Sequence, residues 1–225
     1  MKSHLVSFPS FGLRSVLAGC LLGALISVSH ATTLAPIGFG NQVQESDAII
    51  YGRVISKTSK VVPSKKGDVI VTITKVESLE TFSGSTPEIV ELSSLGGTVN
   101  GVTMEVDGMP KLQPGEEYVL FVKDNGDTVC PILGWSQGAC KVSSEPDGMS
   151  FLSIPTLLTS EAQKALTAIL EETRKAAGPT SVAVAKLLLA EERVEKKFPE
   201  QSPFAPAAVT LDQFRDLVKH YSVRE

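Results

Sequence analysis

Tyr118-Val119-Leu120-Phe121-Val122 is an unbroken apolar run, and its reading decides the fold. It is short, aromatic and β-branched, the pattern of a strand buried on both faces. Outward from it, strand and turn signals alternate. Residues 48–55 (AIIYGRVI) are rich in β-formers, and residues 69–76 (VIVTITKV) alternate in polarity. That alternation sets Val69, Val71 and Ile73 on one face and Thr72 and Thr74 on the other. Residues 88–92 (EIVEL) make a shorter strand. Thr98-Val99-Asn100-Gly101-Val102-Thr103 reads as a tight hairpin, because Asn-Gly accepts the positive φ angles of a type I′ turn. Asp107-Gly108, Asn125-Gly126 and Asp147-Gly148 are further turn signals. Residues 128–133, 139–143 and 150–154 complete the strand set. Short strands punctuated in this way predict a small barrel or sandwich over residues 45–154.

From residue 155 to 225 the pattern becomes helical. Ser160 and Gln163 have capping-box spacing, and Ala162, Ala165, Leu166, Ile169 and Leu170 form one apolar stripe. Gly178-Pro179 ends that helix, and a second runs over residues 181–197. Its charged end (EERVEKK, residues 191–197) reads as a solvated face with Glu192 and Lys196 paired. Residues 199–206 read as a loop. Thr210 and Gln213 then open a last helix, whose apolar side is Leu211, Phe214, Leu217, Val218 and Tyr221. The fold class expected is mainly β, a small barrel or sandwich followed by a C-terminal α-helical extension.

The N-terminus reads as an export signal. Lys2 and Arg14 are the only charges before Glu45, and residues 15–28 (SVLAGCLLGALISV) are apolar. Ser29-His30-Ala31 supplies small residues for cleavage after Ala31, making 1–31 a signal peptide. The run is shorter than the roughly twenty residues of a membrane span. A competing reading takes Leu17-Ala18-Gly19-Cys20 as a lipoprotein box with Cys20 lipidated, but there the apolar run continues past the cysteine. An exported, periplasmic or extracellular protein is expected. Loss of Lys2 and Arg14 takes the net charge from −4 to −6, without a basic stripe. Nucleic acid and anionic membranes are therefore poor partners.

With the signal gone, His220, Cys130 and Cys140 are the whole supply of histidine and cysteine. These types furnish most zinc ligands and many general bases. In an oxidising compartment Cys130 and Cys140 are expected to form a disulfide, contributing about 2–3 kcal/mol through a short closed loop. Two free thiols and a redox pair are the alternatives. Trp135 and Gln137 lie inside that loop and are the candidate binding surface; the alternative for Trp135 is packing against the cysteines. His220 falls in the last turn of a short helix, where the dipole favours its cation. Adjacent Glu116 and Glu117 would point to opposite faces of a strand, poor geometry for a shared glycosidic bond. Asp124-Asn125-Gly126-Asp127 lacks the distal glutamate of a calcium loop and reads as a turn. No catalytic, metal or cofactor-binding residue is assigned.

Ordered landmarks add a resemblance. They are Ser46-Asp47-Ala48-Ile49-Ile50-Tyr51-Gly52-Arg53-Val54, then Val71-Thr72-Ile73-Thr74-Lys75-Val76-Glu77 and Leu95-Gly96-Gly97-Thr98. Pro114-Gly115-Glu116-Glu117-Tyr118-Val119-Leu120-Phe121 and Gly134-Trp135-Ser136-Gln137-Gly138 follow. In this order they resemble a bacterial secreted module found before matrixin-like proteases. The resemblance covers residues 46–144 and implies an OB-type barrel, related in shape to the domain of the tissue inhibitors of metalloproteinases. Those inhibitors chelate zinc through an N-terminal cysteine; here the expected N-terminus is Thr32, so that mechanism does not carry over. Together these features predict a non-enzymatic exported binding protein, with an exported protein such as a protease as partner. A protease-associated inhibitor or chaperone and a carboxylate-based hydrolase are the alternatives. Mass spectrometry of the processed chain should find Thr32 at the N-terminus; a lipidated Cys20 would refute the cleavage site.

Overall fold

In the computed structural model the apolar run at 118–122 lies in the middle strand of a seven-stranded sheet. The structure describes residues 35–65, 67–123, 129–144, 146, 148–154 and 207–222, and also 164, 165, 167–169, 171, 172 and 175. The signal sequence with Cys20, the Asp124–Asp127 turn, the Ser160/Gln163 cap, Gly178-Pro179, the 181–197 helix and the 199–206 loop lie outside the described residues. The elements are α1 (Phe39–Glu45), β1 (Ala48–Ser64), β2 (Gly67–Ser83), β3 (Ile89–Leu95), β4 (Gly97–Val99), β5 (Val102–Met104) and β6 (Glu117–Val122). A 3-10 turn (Trp135–Gly138), β7 (Ala139–Ser144), β8 (Ser150–Ile154), β9 (Ala207–Thr210) and α2 (Leu211–Ser222) follow. The sheet order is β3-β2-β1-β6-β7-β8-β9, with every neighbouring pair antiparallel.

β6 divides two cores. Val119 and Phe121 point into one, with Ile49, Cys140, Val142, Leu152 and Val209. Tyr118, Leu120 and Val122 point into the other, with Ile50, Val54, Val76, Leu92 and Leu112. Strand alternation makes this division unavoidable for a run apolar at every position. The first core is roofed by the two helices. Phe39 of α1 meets Phe121 at 6.0 Å and Phe214 of α2 at 5.9 Å, both edge to face. Arg215 ties α2 to β2: its Nε and one terminal nitrogen donate to the two Glu80 oxygens at 2.8 and 3.0 Å. The same guanidinium lies 5.9 Å from the centre of the Phe82 ring.

Among the described residues the strand pairing does not close the sheet, and β3 and β9 stand at its edges. Three expectations change. Residues 128–133 were expected as a strand, and the described part of them makes only the isolated bridge Val122↔Ile132. Pro131, which has no N–H to donate, interrupts that ladder. A main-chain bond from Leu95 N–H to Val129 O (2.9 Å) still reaches from β3 to this segment. The C-terminal extension is also not wholly helical, because β9 pairs with β8 and completes the sheet before α2 begins.

The third change concerns the cysteines. Both are buried thiols, not a disulfide. Cys140 belongs to the helix-roofed core and Cys130 to the opposite one, so the β6–β7 sheet stands between them. A bridge needs Cβ atoms about 3.5–4.5 Å apart, which opposite faces of a sheet do not allow. Burial pushes the Cys140 thiol up to about 12 and raises that of Cys130.

The two-stranded β4–β5 sheet confirms the Asn-Gly hairpin, with Asn100 at φ 51° and Gly101 at φ 80°. It docks through Gly97, whose φ is 134°. A Cβ there would run into the hydroxyls of Thr72 and Ser59. Gly97→Ala should therefore cost about 2 kcal/mol. Urea denaturation checks this, and an unshifted midpoint would show that the hairpin is not wedged there.

Candidate functional site

β1 and β2 form a long hairpin whose inner face changes composition along its length. In β1 the register slips between Val54 and Ser56, leaving Ile55 as an extra, exposed residue. Such a bulge exchanges the faces beyond it. Before it, Ala48, Ile50 and Val54 face inward. After it, Lys57 and Ser59 turn inward, opposite Thr74 and Thr72 of β2.

The threonine face of β2 is thus the buried one. Thr72 is 7% and Thr74 4% exposed, while Val69, Val71 and Ile73 are only half-buried. The inward face carries Ile70 and Val76 at its ends, and these apolar anchors choose it. Thr72 meets the cost of burial by donating to Gly96 O at 2.6 Å, with Ser59 Oγ 2.8 Å away.

Beside this face opens a cleft of about 630 Å³. Its walls come from β2, β3, the β4–β5 hairpin, residues 105–113 and residues 130–132. Leu92, Leu112, Cys130 and Ile132 supply a buried apolar wall; Thr72, Thr74 and Ser94 supply hydroxyls; Met104 and Met109 supply thioethers. Lys57 Nζ donates to Leu112 O at 2.8 Å, pinning the loop wall to β1. Ser136 N–H donates to Gly108 O at 3.0 Å and holds the same loop from the other side.

The residues singled out in the sequence lie elsewhere. The Trp135 side chain packs half-buried on the core behind the cleft, and the main-chain N–H of this residue donates to Ile132 O at 3.0 Å. Gln137 clasps the chain before α1: its Oε1 accepts from Ile37 N–H at 3.2 Å and its Nε2 donates to Ala35 O at 3.1 Å. Both are therefore engaged in holding the fold, and neither lines the cleft. The cleft residues went unread because each is ordinary alone. Gly96-Gly97 before an Asn-Gly hairpin was the one local sign of a close approach.

Glu116 and Glu117 do point to opposite faces. Glu117 accepts from Tyr51 and from Arg53 Nη2 at 2.7 Å. Glu116 accepts from Tyr118 and is paired with Lys141. Burial works to raise Glu117, but hydrogen bonds from Tyr51 and Arg53 prevail and hold it below the ordinary carboxylate value. Lys141, then Tyr118, lower Glu116. Burial and the partner carboxylate push Tyr51 and Tyr118 each up to about 12. His220 lies at the end of α2 with its ring 5.4 Å from that of Tyr221.

Among the described residues, no three His, Cys, Asp or Glu side chains gather as a metal site. No described helix is long and apolar enough to cross a membrane. The chain matches no family model and no curated protein.

A raised phenol favours the folded state below its unfolded value. The contribution of Tyr51 and Tyr118 should thus be complete below pH 10 and lost as pH rises towards 12. Glu117, being lowered, contributes fully above its ordinary value and loses its contribution as pH falls below it. Tyrosinate absorbance should show two phenols ionising near pH 12, and Glu117→Gln should return one of them towards 10. Titration of all tyrosines near 10 would contradict both pairings.

Proposed function

We propose that the chain is an exported, non-enzymatic binding protein and that the cleft between β2, β3 and the β4–β5 hairpin is its ligand site. The observation that carries this reading is the cleft itself: about 630 Å³, concave, with apolar walls and a few fixed hydroxyls. Binding sites for small ligands and peptide segments have this size and mixture. The commitment of Glu116 and Glu117 to separate cation and tyrosine partners on opposite faces speaks against carboxylate-based hydrolysis. An OB-type barrel, closed between β3 and the 129–133 segment, is the finer fold proposed. The Leu95–Val129 bond and the return of that segment to β6 through Leu133 N–H to Phe121 O (2.8 Å) support it. The partner proposed is an exported protein, with a protease among the candidates.

The processed chain, immobilised and exposed to exported proteins, should retain one partner in stoichiometric amount. Thr103→Arg places a long cation in the cleft from an exposed hairpin position, so folding is spared. It should reduce capture about tenfold or more. Equal capture by Thr103→Arg would remove the cleft from the interaction. Turnover of a glycoside without a captured partner would overturn the binding reading.

A further inference from the structure

We infer that the cleft selects an uncharged stretch of polypeptide and excludes charged side chains, an inference that rests on the cleft being the ligand site. The position of charge in the cleft carries it. Four charged residues line it: Lys57, Glu105, Asp107 and Lys111, two of each sign. Lys111 and Glu105 stand at the rim, 86% and 81% exposed and 3.9 Å apart. Lys57 already donates to Leu112 O. The inner wall, formed by Thr72, Thr74, Leu92, Leu112, Cys130 and Ile132, is buried and carries no charge at neutral pH.

A charged group pushed to that wall would lose its water among uncharged groups, and the Lys57 ammonium beside it is already bonded to Leu112 O, so burying a charge there is unfavourable. Hydroxyls and apolar side chains together instead suit a main chain bearing small or apolar residues. Met104 and Met109 add unbranched, polarisable surface that adapts to several side-chain shapes. No aromatic residue lines the cleft, so the flat platform on which sugar rings stack is missing from its described walls. This favours polypeptide over glycan.

Cys130 lies on the wall and provides the reporter, while Cys140 lies across the sheet in the other core. The full processed chain is treated with hydroxyethyl, aminoethyl or sulfonatoethyl methanethiosulfonate, which differ in charge at similar size. Labelling of Cys130 is followed by mass, with Cys130→Ser as control, and each rate is divided by that of the unfolded chain. The neutral reagent should react about tenfold faster than either charged one. A capped Ala-Leu-Thr-Ala peptide should slow this labelling, and its Leu→Glu and Leu→Lys forms should not. Equal rates, faster reaction of a charged reagent, or no labelling by any reagent would overturn the inference. So would protection by maltotriose without protection by the neutral peptide. Neutral preference together with undiminished partner capture by Thr103→Arg would leave the charge selection standing and refute the cleft as the partner's site.

Discussion

The rest of the structure depends on β6 being buried on both of its faces. Its alternating side chains must satisfy two separate cores, so something has to cover each side of the sheet. On one side the cover is helical: α1 and α2 meet over Phe121 through a cluster of edge-to-face rings. On the other side the cover comes from β1, β2 and β3, which place Leu92 in one core with Leu120 and Leu112. The candidate site exists only on this second side, where sheet covers sheet and a gap remains beside the hairpin.

That gap has a local cause. The bulge at Ile55 turns Lys57 and Ser59 inward, and the threonine face of β2 is carried inward between Ile70 and Val76. Hydroxyls there replace the apolar side chains that would have packed the space shut. The close approach of Gly97 to Thr72 and Ser59 then fastens the hairpin beside the gap and leaves it open. Lys57 and Ser136 hold the facing loop from two sides. Cleft and fold are thus held by the same contacts, as a site on rigid elements requires.

Much of the β architecture was legible because its signals are local. Asn100-Gly101 names a turn by backbone chemistry alone, and β4 and β5 flank it as read. Thr210 and Gln213 exchange the reciprocal bonds of a capping box, at 3.2 and 2.8 Å. The opposed directions of Glu116 and Glu117 follow from strand pleating. The site was less legible. Trp135 and Gln137 stood out by rarity and by their place between two cysteines, yet they serve the core and the chain before α1. Thr72, Thr74, Met104 and Cys130 have nothing in their neighbouring sequence to mark them as one wall.

By itself the sequence determined that this is mainly a β protein with a doubly buried strand, a tight hairpin and a capped final helix. Those features rest on periodicity, turn geometry and reciprocal short-range bonds within a few residues. Only the tertiary structure decided which face of β2 turned inward, that Cys130 and Cys140 lie on opposite sides of the sheet, and that β9 returns to pair with β8. Each of these is a choice between faces or partners far apart in the chain. The energy that makes the choice lies in contacts such as Val76 with Val54, or Arg215 with Glu80, which no local window contains.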